Sequence, residues 1–101
     1  MRVIVFFDLP VETSKNKKDY RLFRKYLIKS GFMMIQESVY AKLVPNSFAA
    51  NAMIDNLRKH KPSDGLVQIL KITEKQYANI ENLVGIPHSE VVDTDERLVV
   101  L

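Results

Sequence analysis

The first pattern of hydrophobic and polar positions along the chain is that of a β-strand. The predicted strand covers residues 2–8, and within it residues 3–7 are all apolar, so both of its faces are apolar until Asp8. A strand of this kind is typically central in its sheet and covered on both sides. Pro10 ends the strand, because proline cannot donate a hydrogen bond to a sheet ladder.

A helical pattern follows over residues 13–29. Thr13 or Ser14 can cap the helix at its start, and Gly31 can end it as a left-handed residue. At about 100° per residue, one broad stripe of the helix is apolar and aromatic and the opposite arc is basic. The apolar stripe consists of Tyr20, Leu22, Phe23, Tyr26 and Leu27. The basic arc consists of Lys17, Lys18, Arg21, Arg24, Lys25 and Lys29. We expect one face to pack and the other to be solvent-exposed and cationic.

The middle of the chain predicts a hairpin and a second helix. Residues 32–44 are rich in aliphatic, aromatic and β-branched side chains, which favours two short strands turning at residues 36–37, or one bent strand. Asn46 or Ser47 can cap the second helix, which ends at Lys61 before a proline. Cations in its last turn suit the negative end of the helix dipole.

The last third predicts a strand over residues 66–72 and a short helix that begins at Thr73 or Glu74 and closes at residues 85–87. An acidic stretch and an apolar end follow. An unpaired apolar strand is an aggregation risk, so we expect the end to pair as a strand, on this chain or on a partner chain. The residues of this terminal strand are Leu98, Val99, Val100 and Leu101.

The resulting order, β-α-β-β-α-β plus a tail, is that of an α+β ferredoxin-like sandwich. A length of 101 residues predicts a single domain over residues 1–101, with residues 88–101 as a tail that carries the extra strand. The two helices cover one face of the sheet. A second subunit would cover the other face, so we expect a homodimer.

Composition excludes several classes of function. The chain has no cysteine, which removes disulfides, thiolate zinc sites and a cysteine nucleophile. Three glycines provide no phosphate-cradling loop, and neither a serine nucleophile elbow nor a histidine pair with zinc spacing is present. The longest apolar run, residues 3–7, is far too short for a membrane span. We therefore expect a cytoplasmic protein.

The net charge of +3 is unevenly distributed. Residues 1–61 hold 12 Lys and Arg against 5 Asp and Glu, whereas residues 62–101 hold 3 against 7. This division indicates an anionic partner such as nucleic acid, although a merely solvated surface would show the same counts. Aromatic residues of the first helix lie opposite its cations, which favours contacts to the backbone over base stacking. The candidate nucleic-acid-binding residues are Lys15, Lys17, Lys18, Arg21, Arg24, Lys25, Lys29, Arg58, Lys59 and Lys61.

Asp8 is the acidic residue in the most unusual position. A carboxylate at the end of an apolar central strand needs water, a hydrogen bond or a cation. In a structural interpretation Asp8 caps the following turn or pairs with a lysine or arginine. In a functional interpretation it is a catalytic magnesium ligand, with two copies meeting in a dimer. We interpret Tyr40 and Tyr77 as packing residues and His60 and His88 as surface residues.

Four segments resemble the CRISPR-associated protein 2 family in their order and spacing. They are VIVFFDLP at residues 3–10, LIKSGF at 27–32, QESVY at 36–40 and, resembling the forms of type II systems, KDYRLFRK at 18–25. The resemblance covers nearly the whole chain. It implies a ferredoxin-like homodimer that acts in spacer acquisition and bridges dimers of the integrase, CRISPR-associated protein 1.

The resemblance also implies roles for particular residues. Some members of the family are magnesium-dependent endonucleases that act on RNA or DNA. The strand-end aspartate that serves as their metal ligand matches Asp8, and the family's basic helix matches residues 15–29. This chain departs from many members in carrying lysines where they have paired arginines, and Phe32-Met33 after Gly31.

Three functions follow as hypotheses. The first is a dimeric subunit that binds double-stranded DNA and bridges the integrase, with magnesium-dependent endonuclease activity left open. The second is a stand-alone metal-dependent endonuclease acting on RNA or DNA. The third is a ferredoxin-like assembly or ligand-sensing module that binds no nucleic acid.

Overall fold

A computed structural model describes residues 1–86, so the predicted terminal strand over 98–101 and His88 lie outside the described residues. The chain order of the elements confirms the α+β ferredoxin-like sandwich. The elements are β1 (Arg2–Asp8), α1 (Ser14–Lys29), β2 (Met33–Gln36), β3 (Val39–Leu43), α2 (Ser47–His60), β4 (Leu66–Ile72) and α3 (Glu74–Ala78).

The strands form one antiparallel sheet in the order β2-β3-β1-β4. As the sequence predicts, β1 is central. Its residue Val5 lies opposite Tyr40 of β3 on one side and Ile69 of β4 on the other. Strands β2 and β4 lie at the two ends of this order.

Local capping sets the ends of α1. The Thr13 side chain accepts a hydrogen bond from the Asn16 backbone N–H, and the Asn16 side chain accepts one from the Thr13 N–H, which completes a capping box. At the other end, Gly31 has a φ of +94°, and its N–H donates to the carbonyl of Ile28. The Phe32 N–H donates to the carbonyl of Leu27, so the helix ends in a Schellman motif.

Helices α1 and α2 cover one face of the sheet. Val3 and Val5 of β1 are fully buried there, and Phe7 packs edge-on against Phe23 with ring centroids 5.3 Å apart. Ala50 of α2 is buried in the same cluster. This core holds α1 at a fixed position on the sheet.

The predicted apolar stripe of α1 is confirmed in part. Phe23 and Leu27 are buried and Tyr20 and Tyr26 are half-buried, but the prediction for Leu22 is wrong, because this side chain is 54% exposed. Leu22 lies about 100° around the helix from Phe23. That angle places it at the edge of the stripe, beyond the contact with the sheet.

The opposite face of the sheet is only partly covered within residues 1–86. Ile4 is buried beside Ala41, with Tyr77 of α3 packed against them, but Phe6 is 36% exposed. The Arg2 guanidinium anchors α3 by lying 4.1 Å from the centre of the Tyr77 ring and by a 2.9 Å ion pair with Glu74. The prediction that both faces of β1 are buried is therefore correct at Ile4 and wrong at Phe6 in the described part of the chain.

Two predicted boundaries are also wrong. The hairpin turns at residues 37–38, one position later than predicted, because an irregularity between Met34 and Gln36 keeps Gln36 in β2 opposite Val39. Helix α3 ends at Ala78 instead of continuing to residues 85–87. Its capping box at Thr73 confirms the predicted start.

Candidate nucleic-acid interface and strand-end carboxylate

Asp8 lies exposed at the end of β1, opposite Leu66 of β4. Within residues 1–86 its carboxylate makes neither a hydrogen bond nor an ion pair, so the interpretation of Asp8 as a turn cap or salt-bridge partner finds no support there. Its backbone is closely packed, since a Cβ built on Gly65 would lie 2.7 Å from the Asp8 carbonyl oxygen. Gly65, with a φ of +91°, permits this approach and so helps to fix the strand end.

A second carboxylate borders the same place. Asp8, Glu37 and Ser38 line an open cavity of about 270 Å³ together with side chains of β1, β3 and β4. The Phe7 N–H donates to the Ser38 carbonyl over 3.0 Å, which joins the hairpin turn to the end of β1. Sequence reasoning missed Glu37, since its proximity to Asp8 depends on how β3 pairs with β1.

These carboxylates fit a magnesium ion as a partial ligand set. Mg²⁺ is commonly held by one or two carboxylates and completes its shell with water and phosphate oxygens. Asp8 offers a carboxylate with no other partner in the described chain, and Glu37 borders the same cavity. Residues 1–86 contain no cluster of three or more His, Cys, Asp or Glu side chains that could hold a metal ion.

All ten cations predicted to contact nucleic acid are exposed. Two of them form ion pairs, Lys15 with Asp19 over 2.9 Å and Arg58 with Asp55. The other eight have no ion-pair partner within residues 1–86. We call these ten residues the basic surface: Lys15, Lys17, Lys18, Arg21, Arg24, Lys25, Lys29, Arg58, Lys59 and Lys61.

Contacts between α1 and the end of α2 hold the two helices that carry the basic surface against each other. The Tyr26 ring of α1 stacks on His60 at the end of α2, with ring centroids 4.0 Å apart and an interplanar angle of 11°. Lys15 also donates a 2.9 Å hydrogen bond to the Ser63 hydroxyl in the loop after α2. His60 is exposed, as predicted, but its stacking on Tyr26 was not anticipated.

Asp19 is the acidic residue within α1. The Lys15 ammonium, which donates a hydrogen bond to Asp19, lowers the pKa of this carboxyl below its ordinary value of 3.8. Desolvation opposes this effect and is second to it in size, while the charge of Lys15, a hydrogen bond from Ser63 and the charge of Lys18 also lower the pKa. Asp19 is therefore ionised at neutral pH and neutralises part of the positive charge near Lys15.

Arg24 is hydrogen-bonded to a buried tyrosine. Its Nε donates a 2.9 Å hydrogen bond to the hydroxyl of Tyr40, which is only 1% exposed. The prediction that Tyr40 and Tyr77 are packing residues is confirmed, because Tyr40 is buried in one hydrophobic cluster and the half-buried Tyr77 packs against the other. Sequence reasoning missed the additional role of the Tyr40 hydroxyl as an acceptor.

None of the helices within residues 1–86 has the length and apolar character needed to cross a membrane.

Comparison with known proteins identifies the family. The family described as CRISPR associated protein Cas2 matches residues 1–80. A Treponema denticola protein named CRISPR-associated endoribonuclease Cas2 is 56% identical over 101 residues, covering 100% of both chains. Proteins of the same name from Ligilactobacillus salivarius and Streptococcus mutans are 46% and 44% identical, covering all of this chain and 100% and 93% of theirs.

A crystal structure of Streptococcus pyogenes Cas2 at pH 6.5 has the same fold. It superposes with a TM-score of 0.62 at 19% identity, covering 83% of this chain and 100% of the other. At that identity the similarity supports the fold alone. The sequence match over residues 1–80, together with the full-length similarity to the three relatives, shows that this chain belongs to the CRISPR-associated Cas2 family.

Proposed function

We propose that this protein is a dimeric, double-stranded-DNA-binding subunit of CRISPR spacer acquisition that bridges dimers of the integrase, CRISPR-associated protein 1. The observation that carries the proposal is the basic surface, in which eight of ten exposed cations have no ion-pair partner within residues 1–86. Unpaired surface cations neutralise phosphates and release counterions, which is the main source of affinity for duplex DNA. Membership in the Cas2 family supports the link to CRISPR.

The arrangement of aromatic rings supports recognition of the DNA backbone and shape. Phe23 of α1 is buried in the core, while Tyr20 packs against Phe7 and Tyr26 stacks on His60. These rings are engaged within the protein, so they do not form a platform for unpaired bases. A surface of this type contacts phosphates and reads little sequence.

The partly open sheet face supports the homodimer. Residue pairing across the sheet places five exposed apolar side chains on the face that α1 and α2 do not cover. A second copy of the chain would remove this apolar patch from water. The five side chains are Phe6, Met33, Leu43, Leu66 and Leu70.

The proposed duplex-DNA partner implies that the protein acts in the cytoplasm.

A second function, metal-dependent cleavage of RNA or DNA, is favoured by Asp8 and by the endoribonuclease names of the relatives. In this proposal Asp8 of each protomer holds Mg²⁺, with Glu37 bordering the site. A bound Mg²⁺ would stabilise negative charge that develops on a phosphate during hydrolysis. We rank cleavage below DNA binding because Asp8 and Glu37 supply only a partial set of metal ligands within residues 1–86.

Binding and cleavage can be separated in one experiment. Labelled duplex DNA and single-stranded RNA are incubated with the wild type and with Asp8→Asn, with and without Mg²⁺, over a series of salt concentrations. Glu12→Gln is the matched control, because Glu12 is an exposed carboxylate that makes no hydrogen bond within residues 1–86. We expect salt-sensitive duplex binding by all three proteins.

The outcomes decide between the proposals. If the wild type fails to bind duplex DNA at about 0.1 M salt, the DNA-binding proposal is refuted. Magnesium-dependent cutting that disappears in Asp8→Asn and persists in Glu12→Gln would support the nuclease. Cutting that survives in Asp8→Asn would refute the role of Asp8.

A further inference from the structure

A buried tyrosine holds one arginine of the basic surface. The Nε of Arg24 donates to the Tyr40 hydroxyl over 2.9 Å, between residues sixteen positions apart in the chain. Arg24 is exposed on α1, whereas Tyr40 is 1% exposed on β3. The hydrogen bond therefore connects a surface cation to the core of the protein.

The position of the Tyr40 hydroxyl is fixed by packing. Its ring stacks against Phe7 with centroids 5.7 Å apart and an interplanar angle of 22°, and its backbone pairs with Val5 of β1 and Met34 of β2. A buried ring with these neighbours has little freedom to change rotamer. The hydrogen bond consequently orders the long Arg24 side chain and leaves Tyr40 where the core places it.

The bond also determines which edge of the guanidinium remains available. Arginine has five N–H donors in a planar group, and Tyr40 takes the one at Nε. The Nη1 and Nη2 atoms of Arg24 make no hydrogen bond within residues 1–86. Two parallel N–H groups on this edge match two oxygens of a phosphate, a geometry that lysine lacks.

The surroundings of Arg24 provide room for such a contact. Arg24 and Tyr40 line an open cleft of about 540 Å³ with Tyr20, Glu37 and Ser38. The turn at residues 37–38 borders this cleft and also the cavity beside Asp8. Lys15 of α1 is hydrogen-bonded as well, but its partners Asp19 and Ser63 are not buried. The other basic residues of α1 make no side-chain hydrogen bond in the described chain; they are Lys17, Lys18, Arg21, Lys25 and Lys29.

We propose that Tyr40 is a positioning residue for nucleic-acid binding, which presets Arg24 so that its Nη1–Nη2 edge contacts a backbone phosphate. The proposal rests on the DNA binding proposed above. A side chain that is already ordered loses less conformational entropy when it binds. Arg24 is thus a preorganised phosphate contact, whereas the four lysines of α1 that make no side-chain hydrogen bond within residues 1–86 act as flexible charges.

The test compares Tyr40→Phe, Arg24→Lys and the double variant in duplex binding by fluorescence anisotropy. Tyr40→Phe removes only the acceptor, and we expect roughly threefold to tenfold weaker binding, the cost of ordering one long side chain. The salt slope should stay unchanged because the charge remains. In the Arg24→Lys background, Tyr40→Phe should have no further effect. Tyr20→Phe is the control, because Tyr20 lines the same cleft and its hydroxyl makes no hydrogen bond within residues 1–86.

A second measurement reports on the ordering itself. In NMR spectra of the wild type the Arg24 Nε–H should exchange slowly with water, and Tyr40→Phe should abolish that protection. This readout retains its meaning if the double variant does not fold, which thermal unfolding would reveal.

The outcomes separate this inference from the proposed function. Wild-type affinity in Tyr40→Phe, or an equal loss in the Arg24→Lys background, would overturn the positioning role while leaving DNA binding intact. A wild type that does not bind duplex DNA would refute the proposed function, and the inference with it. A rapidly exchanging Nε–H in the free wild type would also overturn the inference.

Discussion

Three neighbouring cations of α1 allow the DNA-binding proposal to be tested quantitatively. Lys18, Arg21 and Lys25 are spaced by three and four residues, so they share one side of the helix. Each is exposed and lacks an ion-pair partner within residues 1–86. Replacing all three with glutamine should preserve the helix, because glutamine has a helix propensity close to those of lysine and arginine.

The expected magnitude follows from counterion release. Each phosphate contact contributes about 0.9 to the slope of the logarithm of the affinity against the logarithm of the salt concentration. Losing three contacts should therefore reduce the slope by about 2.7 for each protomer that lies against the duplex. Between about 50 and 200 mM salt, the affinity of the triple variant should fall less steeply than that of the wild type, by a factor of about 40 for each such protomer.

Fluorescence anisotropy with a labelled duplex at several salt concentrations measures these slopes. Lys75→Gln is the matched control for Lys25→Gln, because Lys75 is an exposed lysine on α3, outside the basic surface. The single variant Lys25→Gln should lower the slope by about 0.9 for each protomer in contact with the duplex, whereas Lys75→Gln should leave the slope unchanged. An unchanged slope in the triple variant, or equal changes in the two single variants, would show that α1 does not contact phosphates.

Two other features of the structure yield predictions. Phe6→Glu should dissociate the proposed dimer, because it places a charge on the partly open sheet face; a dimer that persists in sedimentation would contradict this. Lys15→Met should raise the Asp19 pKa toward 3.8 in an NMR titration, whereas Lys17→Met should leave it unchanged. Since the Asp19 pKa is lowered in the folded state, its ion pair stabilises the fold above the unfolded pKa, and this contribution is lost as the pH falls through the folded pKa. A pKa that does not respond to Lys15→Met would contradict this account.

Local features of the fold could be predicted well from the sequence. A cap such as Thr13 or a left-handed residue such as Gly31 acts within a few positions, so the starts of the helices and the end of α1 follow from neighbouring residues. The centre of an apolar stripe was also predictable, since Phe23 and Leu27 are both buried. Its edge was not, because the exposure of Leu22 depends on where the sheet stops supporting the helix.

The candidate site likewise has features that could be predicted from the sequence and features that could not. The position of Asp8 at a strand end and the basic arc of α1 can be read from periodicity alone. The proximity of Glu37 to Asp8 could not, because it requires β3 to pair with β1 in one particular register. The same holds for Arg24 and Tyr40, whose contact depends on how α1 lies across β3.

By itself, the sequence determined the order of the elements, the family, the cationic side of α1 and the carboxylate that ends β1. These properties depend on residue types and spacing along one element, where short-range sterics and hydrogen bonding decide the outcome. Only the tertiary structure decided which side chains from separate elements meet, including the stacking of Tyr26 on His60 and the bond from Arg24 to Tyr40. Such contacts depend on strand register and helix placement, which are set by packing of the whole core and not by any single segment.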